Sequence, residues 1–298
     1  MTATPTAPTP DTDDSGQLIG VTGATGAIGG RVAGLLADAG RRQRLLVRDA
    51  GRAPEIGGAE VAECAYRDRA SSERALQGVT TLLMVSAAEA ADRLEEHRTF
   101  LDAAAAAGVR HVVYTSFYGA SPTCTFTLGR DHWATEQHAL ALHERTGLGF
   151  TFLRDNLYLD FLPGLVGEDG VIRGPAGEGR MSGVARDDVA AAAAAVLLDP
   201  DRHRGATYDL TGPEELGLDD VARIVGARLG REVSYHRESV EEAYASRRRW
   251  PAPPWQYDAW VSTYTAIAAG EMAGVSDHVA HLTGRPATDL ATLLEREA

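Results

Sequence analysis

The sequence predicts an α/β protein with a Rossmann-like, doubly wound parallel sheet and a small, mostly helical C-terminal cap. Two observations lead to this prediction. Short apolar runs alternate with helix-like runs through the first half of the 298 residues, which is typical of a parallel sheet covered by helices on both faces. A glycine-rich turn, VTGATGAIGG, also joins the first apolar run to the first helix-like run, as it does at the first turn of Rossmann folds.

Six strands are predicted in the first half because each run is short, continuous and rich in branched side chains. They are Leu18–Thr22, Gln43–Val47, Ala59–Cys64, Thr81–Ser86, His111–Ser116 and Gly149–Leu153. The helices predicted between them are Ala27–Ala39, Ser71–Leu76, Ala91–Ala107 and Asp131–Thr146. Gly40 and Gly108 follow two of these helices, at the position where a left-handed glycine commonly ends a helix. This order of elements predicts right-handed crossovers.

The pattern changes after Arg154. The segment Gly164–Gly179 is rich in glycine and is predicted to be a loop, whereas Arg186–Leu198 and Ala206–Leu210 are predicted as a helix and a strand. Further helices are predicted near Gly217–Leu229, Val240–Arg248, Trp255–Gly270, Ser276–Thr283 and Thr288–Glu297. We therefore expect a disordered tail at 1–16, a dinucleotide-binding core at 17–155, and a substrate-binding cap at 156–298 that includes returning segments of the core.

Composition excludes several classes of partner. The formal net charge is −13 and no basic stripe is present, so a nucleic acid is not expected. No run of about 18 apolar residues predicts a membrane span, and the first residues lack the features of a secretory signal. Two cysteines without paired spacing fit a reducing compartment. We expect a cytoplasmic monomer or homodimer that acts on a small molecule and holds no metal.

The glycine turn has the spacing G-x-x-G-x-x-G, formed by Gly23, Gly26 and Gly29. Gly23 permits a sharp turn, Gly26 lets backbone amides approach a diphosphate, and Gly29 lets the helix pack closely on the strand. The helix N-terminus adds free N–H groups and partial positive charge, and the Thr25 hydroxyl is a further donor. The predicted phosphate-binding residues are Thr22, Gly23, Thr25, Gly26, Ala27, Ile28 and Gly29.

The end of the second strand predicts which dinucleotide binds. An acidic residue about 20 positions after the turn favours NADH, whereas an arginine there suits the 2′-phosphate of NADPH. Arg48 occupies this position and Asp49 follows it. We therefore predict NADPH as the cofactor. Asp49 leaves NADH possible, and capping of the strand edge is the alternative role for Arg48.

Five segments in this order resemble the NmrA-like branch of the atypical short-chain dehydrogenases/reductases. They are VTGATGAIGG, LLVRD, HVVYTS, TFLRDNLYLDF and ARDDVAAAAAAVL. The resemblance covers roughly residues 18–290, and its RDNLY and RDDV segments are more specific to the branch than the glycine turn. It implies an NAD(P)H-dependent oxidoreductase, such as a quinone reductase or a ketoreductase of polyketide tailoring. The branch also contains regulators that bind a dinucleotide without turnover, and this remains the alternative function.

The resemblance also implies positions for the rest of the cofactor. Ser86 and Ala87 would border one ribose, while Thr115 and Ser116 would face the ribose of the nicotinamide. The segment Arg154–Tyr158 would run past the nicotinamide and the substrate, with Asn156 orienting the carboxamide. All of these residues follow strands at their carboxyl ends, where ligands bind in open α/β sheets.

The usual catalytic pair of the superfamily, Tyr-x-x-x-Lys, is missing. The chain has 29 basic residues, all of them arginine, and no tyrosine lies between Gly119 and Leu157. Tyr118 is too close to the fifth strand to take that place, and His132 lies near the position of the lysine. An ordinary alcohol dehydrogenase is therefore not expected.

The missing pair favours an acceptor that needs little help from an acid. Hydride transfer to a carbonyl creates an oxyanion. The basicity of an aliphatic alkoxide resembles that of hydroxide, whereas a hydroquinone anion resembles a phenolate; the difference of roughly 5 pKa units corresponds to ~7 kcal/mol. We therefore predict a quinone, or an aromatic, polyketide-like ketone whose own phenol stabilises the oxyanion.

Three residues are candidate catalytic groups. Ser116 would bond the carbonyl, with a ribose contact as its alternative role. Tyr118 would donate to the substrate, or is a surface phenol. His132 would supply a proton, or is a histidine packed at the start of a helix. The predicted substrate-binding residues are Phe117, Tyr118, Tyr158, Phe161 and Trp255; Trp250 and Trp260 would extend this aromatic wall, unless the tryptophans only pack the cap.

Overall fold

A computed structural model describes residues 17–296, so the tail predicted at 1–16 lies outside the described residues. Eleven strands are found in this range. They are β1 Ile19–Thr22, β2 Gln43–Val47, β3 Glu60–Glu63, β4 Thr81–Met84, β5 His111–Phe117, β6 Gly149–Asp155, β7 Val171–Gly174, β8 Arg180–Met181, β9 Thr207–Leu210, β10 Leu216–Gly217 and β11 Ser234–Arg237.

The same range contains ten α-helices. They are α1 Ala27–Asp38, α2 Arg69–Ala75, α3 Arg93–Ala106, α4 Thr127–Thr146, α5 Arg186–Leu198, α6 Leu218–Leu229, α7 Val240–Arg247, α8 Pro254–Ala268, α9 His278–Thr283 and α10 Leu290–Arg296. Gly40 and Gly108 follow α1 and α3 with φ of 69° and 84°, which confirms the predicted helix ends. No helix among the described residues is long and apolar enough to cross a membrane.

Seven strands form one parallel sheet in the order β3-β2-β1-β4-β5-β6-β9, which confirms the predicted fold class. Helices α1 and α5 pack on one face, and α2, α3 and α4 cover the other. Because both faces are covered, all four residues of β4 are buried, as its unbroken apolar run predicts. The strand order reverses between β1 and β4, so a crevice opens at their carboxyl ends.

The cap has a hydrophobic core of its own. Residues of α6, α8 and α10 pack there around Ile172, Met181 and Met272. Two small sheets join the cap, with β7 parallel to β11 and β8 antiparallel to β10. Helix α5 and strand β9 instead return to the large sheet.

The prediction that 164–179 is only a loop is wrong, since the segment contains β7. Gly170 adopts φ of 78° and ends a turn, after which Val171–Gly174 pairs with Ser234–Arg237. This partner lies about 60 residues away along the chain, so no local pattern indicates the strand. The high glycine content instead reflects close contacts, because a Cβ on Gly174 would lie 2.2 Å from the Tyr264 ring.

Candidate functional site

The glycine turn connects β1 to α1 with little room for side chains. Gly23 has φ of 63°, a conformation that L side chains rarely adopt. The amide of Gly26 donates to the Gly23 carbonyl at 2.8 Å. A Cβ on Gly29 would lie 2.4 Å from backbone atoms of Thr22 and Gly23. The first and third glycines therefore have the conformational and packing roles that the motif predicts.

The N-terminus of α1 is open for an anion. Its N-cap residue is Gly26, no side chain caps the helix, and its first turn contains no acidic residue. The first N–H groups of a helix have no partner within the helix, so those of α1 are available to a ligand. Thr25, Gly26 and Ala27 are exposed, whereas Ile28 and Gly29 are buried. These features fit the diphosphate of a dinucleotide.

The Thr22 hydroxyl stabilises the glycine turn through hydrogen bonds. Its hydroxyl donates to the Leu83 carbonyl at 3.0 Å and accepts from the Val85 amide at 2.9 Å and from the Tyr66 hydroxyl at 2.7 Å. The side chain is buried. Thr22 thus links the ends of β1 and β4, and its contact with a cofactor stays a prediction.

Arg48 and Asp49 differ in the partners that they have. Both are exposed just after β2. The Asp49 carboxylate accepts from the Gly51 amide at 3.0 Å and caps a short 3₁₀ helix. Among residues 17–296, the Arg48 guanidinium has no hydrogen bond or ion pair. The arginine is therefore free to bind a phosphate, while the carboxylate is already in use.

The loop after β4 is held by three side chains from two neighbouring elements, β5 and α3. The Ser86 amide donates to the Thr115 hydroxyl at 2.9 Å, and the Ala87 amide donates to His97 Nε2 at 2.8 Å. Arg93 Nε donates to the Ala87 carbonyl at 2.9 Å. The predicted ribose-binding residues Ser86, Ala87 and Thr115 thus lie together at the carboxyl edge of the sheet.

His132 belongs to a buried network. Arg93 Nη2 lies 2.9 Å from His132 Nε2, and arginine is only a donor, so Nε2 accepts. The protonated Nδ1 then donates to the Tyr114 hydroxyl at 2.9 Å. Burial, and next the Arg93 cation, lower the pKa of His132 well below 6.5. Both ring nitrogens therefore have protein partners, and the catalytic role of His132 stays a prediction.

Ser116 is held by a buried ion pair. Its hydroxyl donates to Glu136 Oε1 at 2.6 Å. Arg154 donates to the two oxygens of the same carboxylate, from Nε at 2.9 Å and from Nη2 at 2.6 Å. Ser116 and Arg154 are directly opposite one another in β5 and β6. The geometry fixes the Ser116 oxygen at the edge of the sheet beside the predicted nicotinamide site.

A segment of the cap, Glu271–Ser276, crosses the ends of β5, β6 and β9; we call it the roof segment. Asn156 Nδ2 donates to the Met272 carbonyl at 3.0 Å, and the Tyr118 hydroxyl donates to the Ala273 carbonyl at 2.7 Å. Asn156 Oδ1 accepts from the Leu157 amide at 2.8 Å. The side chains of Asn156 and Tyr118 therefore already bind backbone, and their contacts with cofactor and substrate stay predictions.

Asp155 and Tyr158 form a pair at the end of β6. The Tyr158 hydroxyl lies 3.0 Å from Asp155 Oδ2, and Arg186 lies over the Tyr158 ring at 5.2 Å. Asp155 is buried, and its Oδ1 has no hydrogen-bond partner among the described residues. Burial raises the pKa of Asp155 well above its ordinary value.

The other predicted substrate-binding aromatic residues do not form one cluster. Phe117 packs against Phe126, with ring centroids 4.7 Å apart. Phe161 is about half exposed, at 48%, and Trp255 is partly buried. Trp260 packs edge-on against Tyr257 at 5.7 Å, and Arg249 lies over Trp250 at 3.9 Å. Within residues 17–296 no ring contact joins Phe161 to a tryptophan, so the aromatic wall stays a prediction.

Sequence reasoning missed three polar residues of this edge, namely Arg93, His97 and Glu136; Asp155 fell within the predicted segment Arg154–Tyr158 but was given no role of its own. One signal was available, because Glu136 is four residues after His132 and therefore lies on the same face of the predicted helix. The pairing of Ser116 with Arg154 depends on strand register, and the sequence alone does not reveal it.

Comparisons with known proteins agree with this geometry. A model of the NmrA-like family matches residues 15–251. An NAD(P)H azoreductase of Xenophilus azovorans is 31% identical over 276 residues, which cover 91% of this chain and 94% of that protein.

Two solved structures with bound cofactor are similar over the sheet and the cap. The NADPH-dependent quinone oxidoreductase of Escherichia coli, complexed with NADPH, gives a TM-score of 0.84 at 31% identity and covers 94% of this chain and 99% of its own. The triphenylmethane reductase of Citrobacter sp., complexed with NADP(H), gives a TM-score of 0.82 at 31% identity and covers 94% and 100%.

Proposed function

Because this chain belongs to the NmrA-like family, we propose that it is an NADPH-dependent reductase of a carbonyl group in a quinone or an aromatic, polyketide-like ketone, without a Tyr–Lys pair. The broader prediction of an NAD(P)H-dependent oxidoreductase is confirmed by the relatives, which are an azoreductase, a quinone oxidoreductase and a triphenylmethane reductase. The choice of acceptor is our inference.

One observation supports the cofactor choice above all others: the uncapped N-terminus of α1 and the unpaired Arg48 lie at the same edge of the sheet. The helix amides suit the diphosphate, and the guanidinium suits the 2′-phosphate of NADPH. Asp49, which would bind the ribose hydroxyl of NADH, instead caps its own loop. NADPH is therefore favoured over NADH.

The acceptor is inferred from the lack of an ordinary acid. All 29 basic residues are arginine, so no lysine can assist a tyrosine. A quinone needs an acid less than an aliphatic ketone does, by ~7 kcal/mol on the pKa scale of the two products. The relatives are named for quinones, azo compounds and triphenylmethane dyes, which supports a conjugated acceptor here.

The chain's own residues perform binding and positioning. When bound, NADPH supplies a hydride. The amides of α1 would bind the diphosphate, and Ser116, whose proton is committed to Glu136, would present an oxygen acceptor to the ribose of the nicotinamide. The roof segment covers the ends of β5, β6 and β9 and limits the access of water, which strengthens electrostatic interactions in the site.

The test is loss of NADPH absorbance with three acceptors: 1,4-naphthoquinone, an ortho-hydroxyaryl ketone and cyclohexanone. We expect turnover with one of the first two and slow turnover, at most, with cyclohexanone. Equal rates with all three would contradict the acceptor class. If NADPH raises the melting temperature but no acceptor consumes it, the protein is a dinucleotide sensor rather than a reductase.

A further inference from the structure

Reduction of a carbonyl requires a proton as well as a hydride. The residues described above do not identify the group that supplies this proton. The Ser116 hydroxyl already donates to Glu136, and the Tyr118 hydroxyl already donates to the roof segment. His132 has lost the basicity needed to carry a proton at neutral pH, because burial lowers its pKa. A neutral acid with an exchangeable proton must therefore lie elsewhere at this edge.

Asp155 and Tyr158 have the required chemistry. The Tyr158 hydroxyl donates to Asp155 Oδ2 at 3.0 Å when this carboxyl is ionised, but unlike the partners of Ser116 and Tyr118 this acceptor can itself carry a proton. Asp155 is only 1% exposed, and no cation forms an ion pair with it within residues 17–296. A buried carboxyl without a cation is stable only when it is protonated. In that state Asp155 donates to the Tyr158 oxygen, and the phenolic proton of Tyr158 is released for another acceptor.

The pair lies where the substrate is expected. Tyr158 is partly exposed and packs on the cluster that contains Ala24 and Ile28, from the glycine turn and α1. Asp155 is opposite Phe117 in the register of β5 and β6. The ring of Tyr158 therefore lies on the face of the sheet that α1 and α5 cover, just after the end of β6, which borders the predicted nicotinamide site.

Charged and titratable groups surround the pair from every neighbouring element. Arg186 at the start of α5 and Arg93 in α3 act on Tyr158, and Tyr118 after β5 reaches Asp155 through its backbone amide. Arg154, its partner Glu136, and Asp209 opposite Arg154 lie on the other side of β6 from Asp155, because successive side chains of a strand point to opposite faces. Arg154 is neutralised by Glu136, and Arg186 contacts the ring of Tyr158 rather than the carboxyl of Asp155. None of these groups offers Asp155 an ion pair.

We propose that Tyr158 donates the proton to the substrate oxygen and that Asp155, a positioning residue, restores it. This inference rests on the proposed reductase function. Hydride derived from NADPH adds to the carbonyl carbon of a ketone, or to a ring carbon conjugated with the carbonyl of a quinone, while the π electrons move to the carbonyl oxygen; the quinone adduct then tautomerises to the hydroquinone. That oxygen takes the Tyr158 proton, the Tyr158 oxygen takes the Asp155 proton, and the Asp155 carboxylate takes one from water. The products are the hydroxyl compound and oxidised cofactor.

Steady-state kinetics with 1,4-naphthoquinone test the donor. Tyr158→Phe should lower kcat by ~100-fold, the low end for loss of a general acid, with an unchanged Kd for NADPH measured by fluorescence. The loss should be smaller with 2,3-dichloro-1,4-naphthoquinone, because its hydroquinone anion is less basic. The matched control is Tyr244→Phe, which removes another tyrosine–aspartate bond of 2.7 Å in the cap and should leave kcat unchanged.

Asp155→Asn tests, through two measurements, whether Asp155 restores the proton that Tyr158 gives away. In the wild type, kcat should fall at alkaline pH as Asp155 ionises. The Asp155→Asn variant should have a lower kcat and an unchanged KM, and its kcat should not decline at alkaline pH. Without cofactor, the native carboxyl binds its proton more tightly than the unfolded one does, so wild-type stability falls as pH rises above about 4. The melting temperature of the wild type relative to the variant should therefore decline between pH 5 and pH 8.

The outcomes separate this inference from the proposed function. If the wild type consumes no NADPH with any acceptor, the function is wrong. If the wild type turns over and Tyr158→Phe keeps its kcat, only the proton donor is wrong. If the difference in melting temperature between the wild type and Asp155→Asn does not change with pH, Asp155 is ionised and cannot restore the proton of Tyr158. If Tyr158→Phe does not fold, the wild type still tests the inference. A wild-type kcat that shows neither a decline at alkaline pH nor a solvent isotope effect would overturn it.

Discussion

The hydroxyl group of Ser116 donates a 2.6 Å hydrogen bond to the buried carboxylate of Glu136. A carboxylate is the stronger acceptor in this site, so the Ser116 proton is committed to it. Ser116 consequently presents oxygen lone pairs to a ligand, which suits a ribose hydroxyl better than a substrate carbonyl. Arg154 fixes the same carboxylate from the neighbouring strand.

Replacing Glu136 tests this arrangement. Glu136→Gln removes the negative charge while Arg154 stays mostly buried, with 27% of its side chain exposed. We expect a loss of about 2 kcal/mol in the free energy of unfolding, less than for a fully buried pair, measured by urea titration. Glu73→Gln, which breaks the exposed pair with Arg69, is the control and should cost less than about 0.5 kcal/mol. Equal losses would show that burial of the pair contributes nothing.

Arg48→Ala should change cofactor preference. Without the guanidinium the 2′-phosphate loses its partner, so we expect Kd for NADPH to rise about 10-fold or more, as for loss of a charge-assisted bond. Kd for NADH should hardly change. Arg42→Ala at the other end of β2 is the matched control and should affect neither cofactor. A parallel weakening of NADPH and NADH would show that Arg48 does not bind the 2′-phosphate.

Gly29→Ala and Gly34→Ala should have opposite effects within one helix. A Cβ on Gly29 would meet the backbone of Thr22 and Gly23 at 2.4 Å, whereas one on Gly34 meets nothing within 4 Å. Gly29→Ala should therefore displace the turn and abolish cofactor binding in calorimetry. Gly34→Ala should stabilise the protein by up to ~1 kcal/mol through helix propensity. Normal NADPH affinity in Gly29→Ala would contradict the close packing of the turn.

Acid should destabilise the protein through His132. Its pKa in the folded protein is well below 6.5, so below pH 6.5 the unfolded chain takes up a proton that the native protein does not. The contribution of His132 to the free energy of unfolding is therefore fully present above pH 6.5 and is lost as pH decreases. His132→Gln should reduce the slope of unfolding free energy between pH 5 and 6 by up to ~1.4 kcal/mol per pH unit. An unchanged slope in His132→Gln would mean that His132 is charged in the folded protein.

Tyr118→Phe tests whether that phenol belongs to the catalytic groups or to the roof segment. Because its hydroxyl is bound to the Ala273 carbonyl, we expect a stability loss of about 1 kcal/mol and a kcat within about threefold of the wild type. Differential scanning calorimetry and initial rates with 1,4-naphthoquinone measure the two effects. A fall in kcat comparable to that of Tyr158→Phe would instead assign Tyr118 to proton transfer.

The large sheet was predictable because its determinants are local. Runs such as Thr81–Met84 carry their own signal of burial on two faces, and the glycine turn specifies a strand followed by a helix. The predicted helix Arg186–Leu198 agrees residue for residue with α5. Strands β7 and β11 escaped prediction because they are short and pair with one another across a long interval of sequence.

The candidate site was predictable only in part, for the same reason. The open N-terminus of α1 and the position of Arg48 follow from spacing along the chain. The partners of Ser116, Asn156 and Tyr118 do not, since they come from helix α4 and from the roof segment. Whether a side chain is free for a ligand therefore depends on contacts that become visible only in three dimensions.

The roof segment also has a consequence for biosynthesis. Its contacts with Asn156 and Tyr118 join residues 116 and 155 positions apart. A ribosome must therefore release most of the polypeptide before the ends of β5, β6 and β9 can be covered. A nascent chain would be able to form β1 to β6 and the glycine turn while the ends of β5 and β6 are still open to water.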